Sequence, residues 1–182
     1  MAGAGCIGKT TISYQFNNLL KNKCQIVSLD AYMLERKIAG ELTGYNPRRF
    51  ELQKAKNDLN DLICFNKKLT IYQYNRKTHK RDIKEYIEPK EIILIEGGLA
   101  LRKEFLHFSD IRIFLDADEN TQFKLRLKRE QEEFNSNVHE VKNRFYKYFK
   151  DYKAFIFPQI KFANIIFSTD LNYNLTLTKS IR

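Results

Sequence analysis

The chain is predicted to fold as an α/β domain, a parallel sheet flanked by helices with an antiparallel hairpin inserted. Three observations predict it. Short runs dense in β-branched and large apolar residues alternate with longer stretches of helical period, as strands and helices do when they take turns in a parallel sheet. A glycine-rich turn, Gly3–Thr10, opens the chain and leads directly into one of the helical stretches. Two further extended runs flank a polar turn in mid-chain with no helix between them.

Taken in order, Ile12, Phe16, Leu19 and Leu20 mark a first helix by their 3.6-residue period. Gln25–Leu29 follows as a buried strand. Leu52, Ala55, Leu59, Leu62 and Ile63 mark a second helix. Leu69–Tyr74 and Arg81–Ile87 pair around the turn Asn75–Lys80, which gives a hairpin over 69–87 of the kind that usually serves a ligand. Ile92–Ile95, Ile111–Leu115 and Ile165–Phe167 read as three more buried strands. Val141, Phe145, Phe149, Tyr152 and Ile156 mark a third helix. A glycine turn of this kind is normally fed by a strand of about 5 residues, yet only Met1 and Ala2 precede Gly3. The first core strand is therefore expected to be missing, and a truncated chain is favoured over a sheet that does without it.

With 182 residues and 43% hydrophobic content there is apolar material for one packed domain, spanning 1–182. No apolar run reaches the roughly 18 residues of a membrane-spanning helix, and no export signal opens the chain. Cys6, Cys24 and Cys64 are odd in number and far apart, which suggests neither a disulfide framework nor a zinc site. A reducing cytoplasm is the expected setting, without a membrane partner. The net charge of +10 allows phosphate-bearing substrates or nucleic acid, but the lysines are spread along the chain, so a solvated basic surface explains it equally well.

The chemistry lies in the motifs. Gly3-Ala4-Gly5-Cys6-Ile7-Gly8-Lys9-Thr10 matches G-x-x-x-x-G-K-[ST] ahead of a helix. Gly3, Gly5 and Gly8 let the backbone turn its N–H groups around a phosphate, Lys9 reaches the outer phosphates, and Thr10 ligates Mg²⁺. That makes the fold a P-loop NTPase. Asp30 follows the strand Gln25–Leu29 and Glu96 follows Ile92–Ile95, the strand ends where open α/β sheets bind ligands. Either carboxylate can hold Mg²⁺, and Asp30 can take a proton from a hydroxyl. Each could equally be an ordinary strand-terminal acid.

From Gly3 to about Phe167 the chain resembles the uridine kinase and phosphoribulokinase family. Ser28–Tyr32 resembles the family's S-x-D-x-F/Y, Gly44–Pro47 its G-Y-D-P, and Tyr74–Arg81 its Y-D-x-x-[ST]-[HG]-x-R hairpin. Ile95–Gly97 matches [FIV]-E-G and Ala163–Ile166 resembles A-D-I-I. The resemblance implies transfer of a γ-phosphate from ATP or GTP, with Mg²⁺, to the 5′-hydroxyl of uridine or cytidine in pyrimidine salvage. Carried over residue by residue, Lys9, Thr10 and Thr11 grip the phosphates and metal, and Asp30 is the base. Tyr32, Asn46, Tyr74, His79 and Arg81 lie on the acceptor side, with Tyr74 and His79 holding the pyrimidine. Arg126 and Arg129, in a short lid over about 126–140, clamp phosphates. Without the resemblance these two arginines read as an exposed basic helix face. Members of the group are commonly oligomeric, so a homo-oligomer is an expectation.

The chain departs from the family pattern at Asn46 and Asn75, which stand where the family has acids, at Met33, and at Glu133–Ser136, which carries neither lid arginine. Two alternatives remain beside the nucleoside kinase. One is a kinase of a sugar phosphate, using Arg48, Arg49 and Arg81; the other is a weakly active or inactive nucleotide-binding remnant. RNA binding is unlikely on these grounds, since no nucleic-acid motif supports it.

Overall fold

The computed structural model describes residues 1–180. In chain order the strands are β1 (Ala2–Gly3), β2 (Cys24–Ser28), β3 (Leu69–Asn75), β4 (Lys80–Ile87), β5 (Ile92–Glu96), β6 (Ile113–Asp116), β7 (Ile165–Thr169) and β8 (Leu175–Ser180). The helices are α1 (Lys9–Leu19), α2 (Arg36–Ala39), α3 (Leu52–Cys64), α4 (Glu119–Phe134) and α5 (Val138–Asp151).

The main sheet is built from two ladders. One runs β1-β6-β7-β8 and the other β2-β5, with every pairing parallel except β7–β8. Met1 joins them: its nitrogen donates to the Ile95 carbonyl at 2.5 Å, and its own carbonyl accepts from the Gly97 N–H at 3.2 Å. Beyond it, Ala2 and Gly3 stand opposite Phe114 and Leu115. The first core strand, expected to be missing, is thus present as a two-residue stub at the centre of the sheet. So short a segment shows no period in a sequence, and its place is fixed by backbone bonding to both neighbours.

A second difference lies at the sheet edge. β8 turns back antiparallel on β7, so the sheet is mixed and not wholly parallel. Every residue of β8 is exposed, which leaves its Leu–Thr alternation without a buried face to reveal it. The hairpin β3–β4 forms as expected, with a bulge between Gln73 and Tyr74, and Ile71 and Ile87 anchor it in the core. Inside its turn the Asn75 side chain accepts from the N–H groups of Lys77 and Thr78 at 3.0 and 3.4 Å.

α1 packs on β2 and β5, while α4 and α5 form an antiparallel pair joined by three residues, Asn135–Asn137. α4 is capped by Asp118, which accepts from Thr121 N–H at 3.0 Å, and α5 by Asn137, which accepts from His139 N–H at 2.8 Å. α1 begins at Gly8 in the left-handed conformation with no side-chain cap, so its first N–H groups stay open. Leu19 and Leu20, expected on the apolar face of α1, sit at its frayed end and are exposed. The third helix is shorter than its apolar period suggests, because Tyr152–Ile156 winds as a wider π turn. The core gathers between these layers around Phe114, Leu115, Val27, Leu59, Leu62, Leu99 and Phe105.

Phe114, fully buried on the strand that bonds β1, sets a stability test. Phe114→Ala is expected to lose about 3–5 kcal/mol of unfolding free energy in urea titration. Ile111→Ala, at a position 67% exposed, is expected to stay within about 0.5 kcal/mol of the parent.

Candidate active site

The loop between β1 and α1 is shaped by backbone contact. Gly3 has φ 147°, and a Cβ there would stand 2.3 Å from the Leu115 carbonyl oxygen, so only glycine fits. Gly8 at φ 92° and Cys6 at φ 70° complete the turn. Lys9 is buried and crosses the loop, its Nζ donating to the Ala4 carbonyl at 2.6 Å. Burial holds its pKa below the ordinary lysine value, while the Glu96 and Asp30 carboxylates pull the other way. Thr10 and Thr11 are exposed on the first turn of α1. The uncapped helix end and the buried ammonium together favour an anion in the turn.

The two carboxylates converge on that turn. β2 and β5 are paired in register with Ser28 opposite Glu96, which brings both strand ends to one edge. Glu96 is buried and accepts from the Thr10 hydroxyl at 3.4 Å. Asp30 lies in the short helical turn Leu29–Tyr32 just past β2. Arg76, from the hairpin turn, reaches across to the Asp30 carboxylate at 3.4 Å. Nothing in the sequence pointed to Arg76, which reads there as one more polar turn residue. Among the described residues no three His, Cys, Asp or Glu side chains form a metal cage. The hard oxygens of Thr10 and Glu96 do suit Mg²⁺, which typically completes its shell with water and substrate phosphates.

On the hairpin side, Tyr74 and His79 come together, the Tyr74 hydroxyl lying 3.2 Å from His79 Nδ1. Arg49 stands behind them, donating to the Tyr74 hydroxyl at 3.0 Å and to the Leu42 carbonyl at 2.8 Å. Partial burial, then the Arg36 and Arg49 charges, lower the His79 pKa and favour the neutral imidazole. Tyr32 and Arg81 are gathered elsewhere. They line a cavity of about 270 Å³ with Glu35 and Lys54, which Tyr74 and His79 do not border. Tyr32 is buried there with no hydrogen-bond partner for its hydroxyl, and Arg81 is paired with Glu51. Asn46 caps the turn Pro47–Arg49, its side chain accepting from Arg48 N–H at 3.1 Å.

α4 delivers the two arginines to different places. Arg126 is buried against the loop, its guanidinium 4.2 Å from the Tyr148 ring centre and its Nη2 donating to the Tyr45 hydroxyl at 3.3 Å. A Cβ on Gly5 would lie 3.4 Å from that same nitrogen. Arg129 instead pairs with Glu133 at 3.3 Å. The expected lid, 126–140, is the second half of α4, the turn and the start of α5, tied together where Arg144 pairs with Glu130. Sequence reasoning also passed over Tyr45, whose position inside a recognised motif was the available signal.

A loop built for phosphate, with two carboxylates at adjacent strand ends and a hairpin facing them, can hold a nucleotide and present a hydroxyl to its end. The fold recurs in known proteins. Two solved structures share the fold, each at 14% identity: D-glycerate 3-kinase from Cryptococcus neoformans, with a TM-score of 0.70 over 99% of this chain and 88% of its own, and phosphoribulokinase from Rhodobacter spheroides, with 0.66 over 92% and 67%. A uridine kinase of Lactobacillus johnsonii is 30% identical over 179 residues, covering 91% of this chain and 83% of that protein. The family model described as Phosphoribulokinase / Uridine kinase family matches residues 1–175, and with the phosphate loop, strand-end acids and hairpin all in its order, the chain belongs to that family of P-loop kinases.

Proposed function

We propose that the chain transfers the γ-phosphoryl group of ATP or GTP to the 5′-hydroxyl of uridine or cytidine, a step of pyrimidine salvage. The observation that carries the acceptor half is the Tyr74–His79 pair on the hairpin. An aromatic face beside a neutral imidazole suits stacking on, and hydrogen bonding to, an uncharged pyrimidine. A sugar-phosphate acceptor would need unengaged cations here. Of the three arginines, Arg49 is held by Leu42 and Tyr74 and Arg81 by Glu51, while Arg48 is exposed, so two of the three are committed elsewhere, which favours the nucleoside.

On the donor side, the N–H groups of the turn around Gly3 and Gly8, with Lys9, Thr10 and Thr11, hold the phosphates, while the Gly5 N–H is engaged by the Tyr45 hydroxyl. Arg126 neutralises them from α4, and Arg129 joins by leaving Glu133. Mg²⁺ held by Thr10 and Glu96, with Asp30 reaching it through water, would supply charge neutralisation across the phosphate oxygens. Asp30 accepts the proton of the acceptor hydroxyl as the P–O bond forms, once that hydroxyl enters between it and Arg76. Asn46 offers its amide hydrogens to the ribose. Tyr32 and Arg81 act from behind, bracing the Asp30 turn and the hairpin.

An assay of ADP release against a panel of nucleosides and sugar phosphates tests this directly. Asp30→Asn is expected to lower kcat roughly 10²–10⁴-fold with little change in donor KM, and a variant as fast as the parent removes Asp30 from the role of base. The acceptor site carries its own pH signature. Because partial burial and the neighbouring arginines lower the His79 pKa below the ordinary imidazole value, its ring stays neutral to lower pH than a free imidazole does. Acceptor KM is therefore expected to stay flat from about pH 8 down towards neutrality and to rise in acid solution as the ring protonates. In Tyr74→Phe, which removes the hydroxyl beside Nδ1, acceptor KM is expected to rise about 3–10-fold with donor KM unchanged.

A further inference from the structure

The Tyr45 hydroxyl is placed inside the phosphate loop. Its oxygen accepts from the Gly5 backbone N–H in a short contact and from Arg126 Nη2 at 3.3 Å. Both of these neighbours are donors. Among the described residues no acceptor takes the hydrogen of the Tyr45 hydroxyl, although the side chain is only 7% exposed. A buried donor left open is destabilising, and an oxygen anion in the loop is the partner that would close it.

The ring is held independently of that oxygen. It packs edge-on against Tyr148 at 5.4 Å and lies near Tyr152 at 6.3 Å. Its Cδ1 would be 3.7 Å from a Cβ on Gly98, beside the strand that ends in Glu96. Thr43 fixes the backbone, its hydroxyl accepting from Tyr45 N–H at 3.2 Å and donating to Asp151 at 2.7 Å. The phenol is therefore presented to the loop by packing, and burial raises its pKa so that it keeps its hydrogen at neutral pH.

We propose that Tyr45 is a further phosphate-binding residue, donating its hydroxyl hydrogen to an oxygen of the phosphate chain while Gly5 and Arg126 fix the hydroxyl's position. The proposal rests on the kinase reading and adds to it a contact from the segment that also carries Asn46. Donor and acceptor sides are then linked through two adjacent residues. No proton is transferred, and the tyrosine remains a neutral donor throughout.

Tyr45→Phe keeps the ring and its packing, so calorimetric titration with ATP and with inorganic tripolyphosphate tests the hydroxyl alone. The expected result is a loss of about tenfold or more in affinity for both ligands, as for a hydrogen bond to a charged acceptor. Equal losses for the two locate the effect at the phosphates. Unchanged or tighter binding by Tyr45→Phe overturns the proposal, because the hydroxyl is then a bystander or a competitor for the loop. As a second measurement, tripolyphosphate should produce a near-ultraviolet tyrosine difference band in the parent that Tyr45→Phe lacks; its presence in both also overturns the assignment. A parent protein that binds neither ligand overturns the kinase reading and this inference together, whereas binding by the parent with no effect of Tyr45→Phe overturns only the inference.

Discussion

The approach of the Gly3 backbone to the Leu115 carbonyl is the contact from which the rest of the site follows. A side chain there would collide with that oxygen, so β1 can sit against β6 only because Gly3 has none. With β1 in place, Met1 bonds to Ile95 and Gly97 on the other side, and the ends of β5 and β6 are held on either side of the loop. The loop's direction, the start of α1 and the position of Glu96 are consequences of that one seating. The arrangement thus depends on the two residues of β1 and on Met1 beside them, with α1 and Phe114 supplying packing that so short a ladder cannot.

Electrostatically the site is dominated by two buried cations, Lys9 and Arg126. Lys9 and Arg126 are buried beside an uncapped helix end, and burying a cation is unfavourable unless something pairs with it. Lys9 meets part of the demand through the Ala4 carbonyl and the nearby Glu96 and Asp30 charges, and Arg126 through Glu130 and the faces of Tyr45 and Tyr148. On the proposed reading, a polyphosphate would supply the remainder. The net charge of +10 strengthens attraction at long range but is not what defines the site.

Much of this was legible in the sequence, and the reasons differ from element to element. β2, β5, β6 and β7 are legible because each carries two or more adjacent large apolar or β-branched residues that the sheet buries at least in part. The hairpin is read because Asn75–Lys80 is polar between two extended runs, and Asn75 does organise that turn. β1 and β8 are not legible: one is too short for any period, and the other has no buried face. In the site, motif spacing locates Lys9, Thr10, Asp30 and Glu96, since local backbone order determines them. It does not reveal that Tyr32 and Arg81 border a cavity which Tyr74 and His79 do not, because that depends on how the hairpin packs against the turn after β2. Arg76 and Tyr45 enter through tertiary contacts alone.

The altered lid sequence takes on a different meaning in this setting. Glu133–Ser136 carries no arginine, and a lid that worked by bringing cations over a bound nucleotide would be weakened by that. Arg126 already lies against the loop, however, stacked on Tyr148 of α5 and hydrogen-bonded to Tyr45. A guanidinium fixed between aromatic faces has lost most of its rotamer freedom before any ligand arrives, so little further ordering is required when phosphate binds. α5 therefore contributes through Tyr148, and with it Tyr45 and Tyr152, what the turn between α4 and α5 does not. If Arg126 meets phosphate as proposed, its preorganisation by this aromatic cluster would do part of the work that an arginine-bearing lid does by closing.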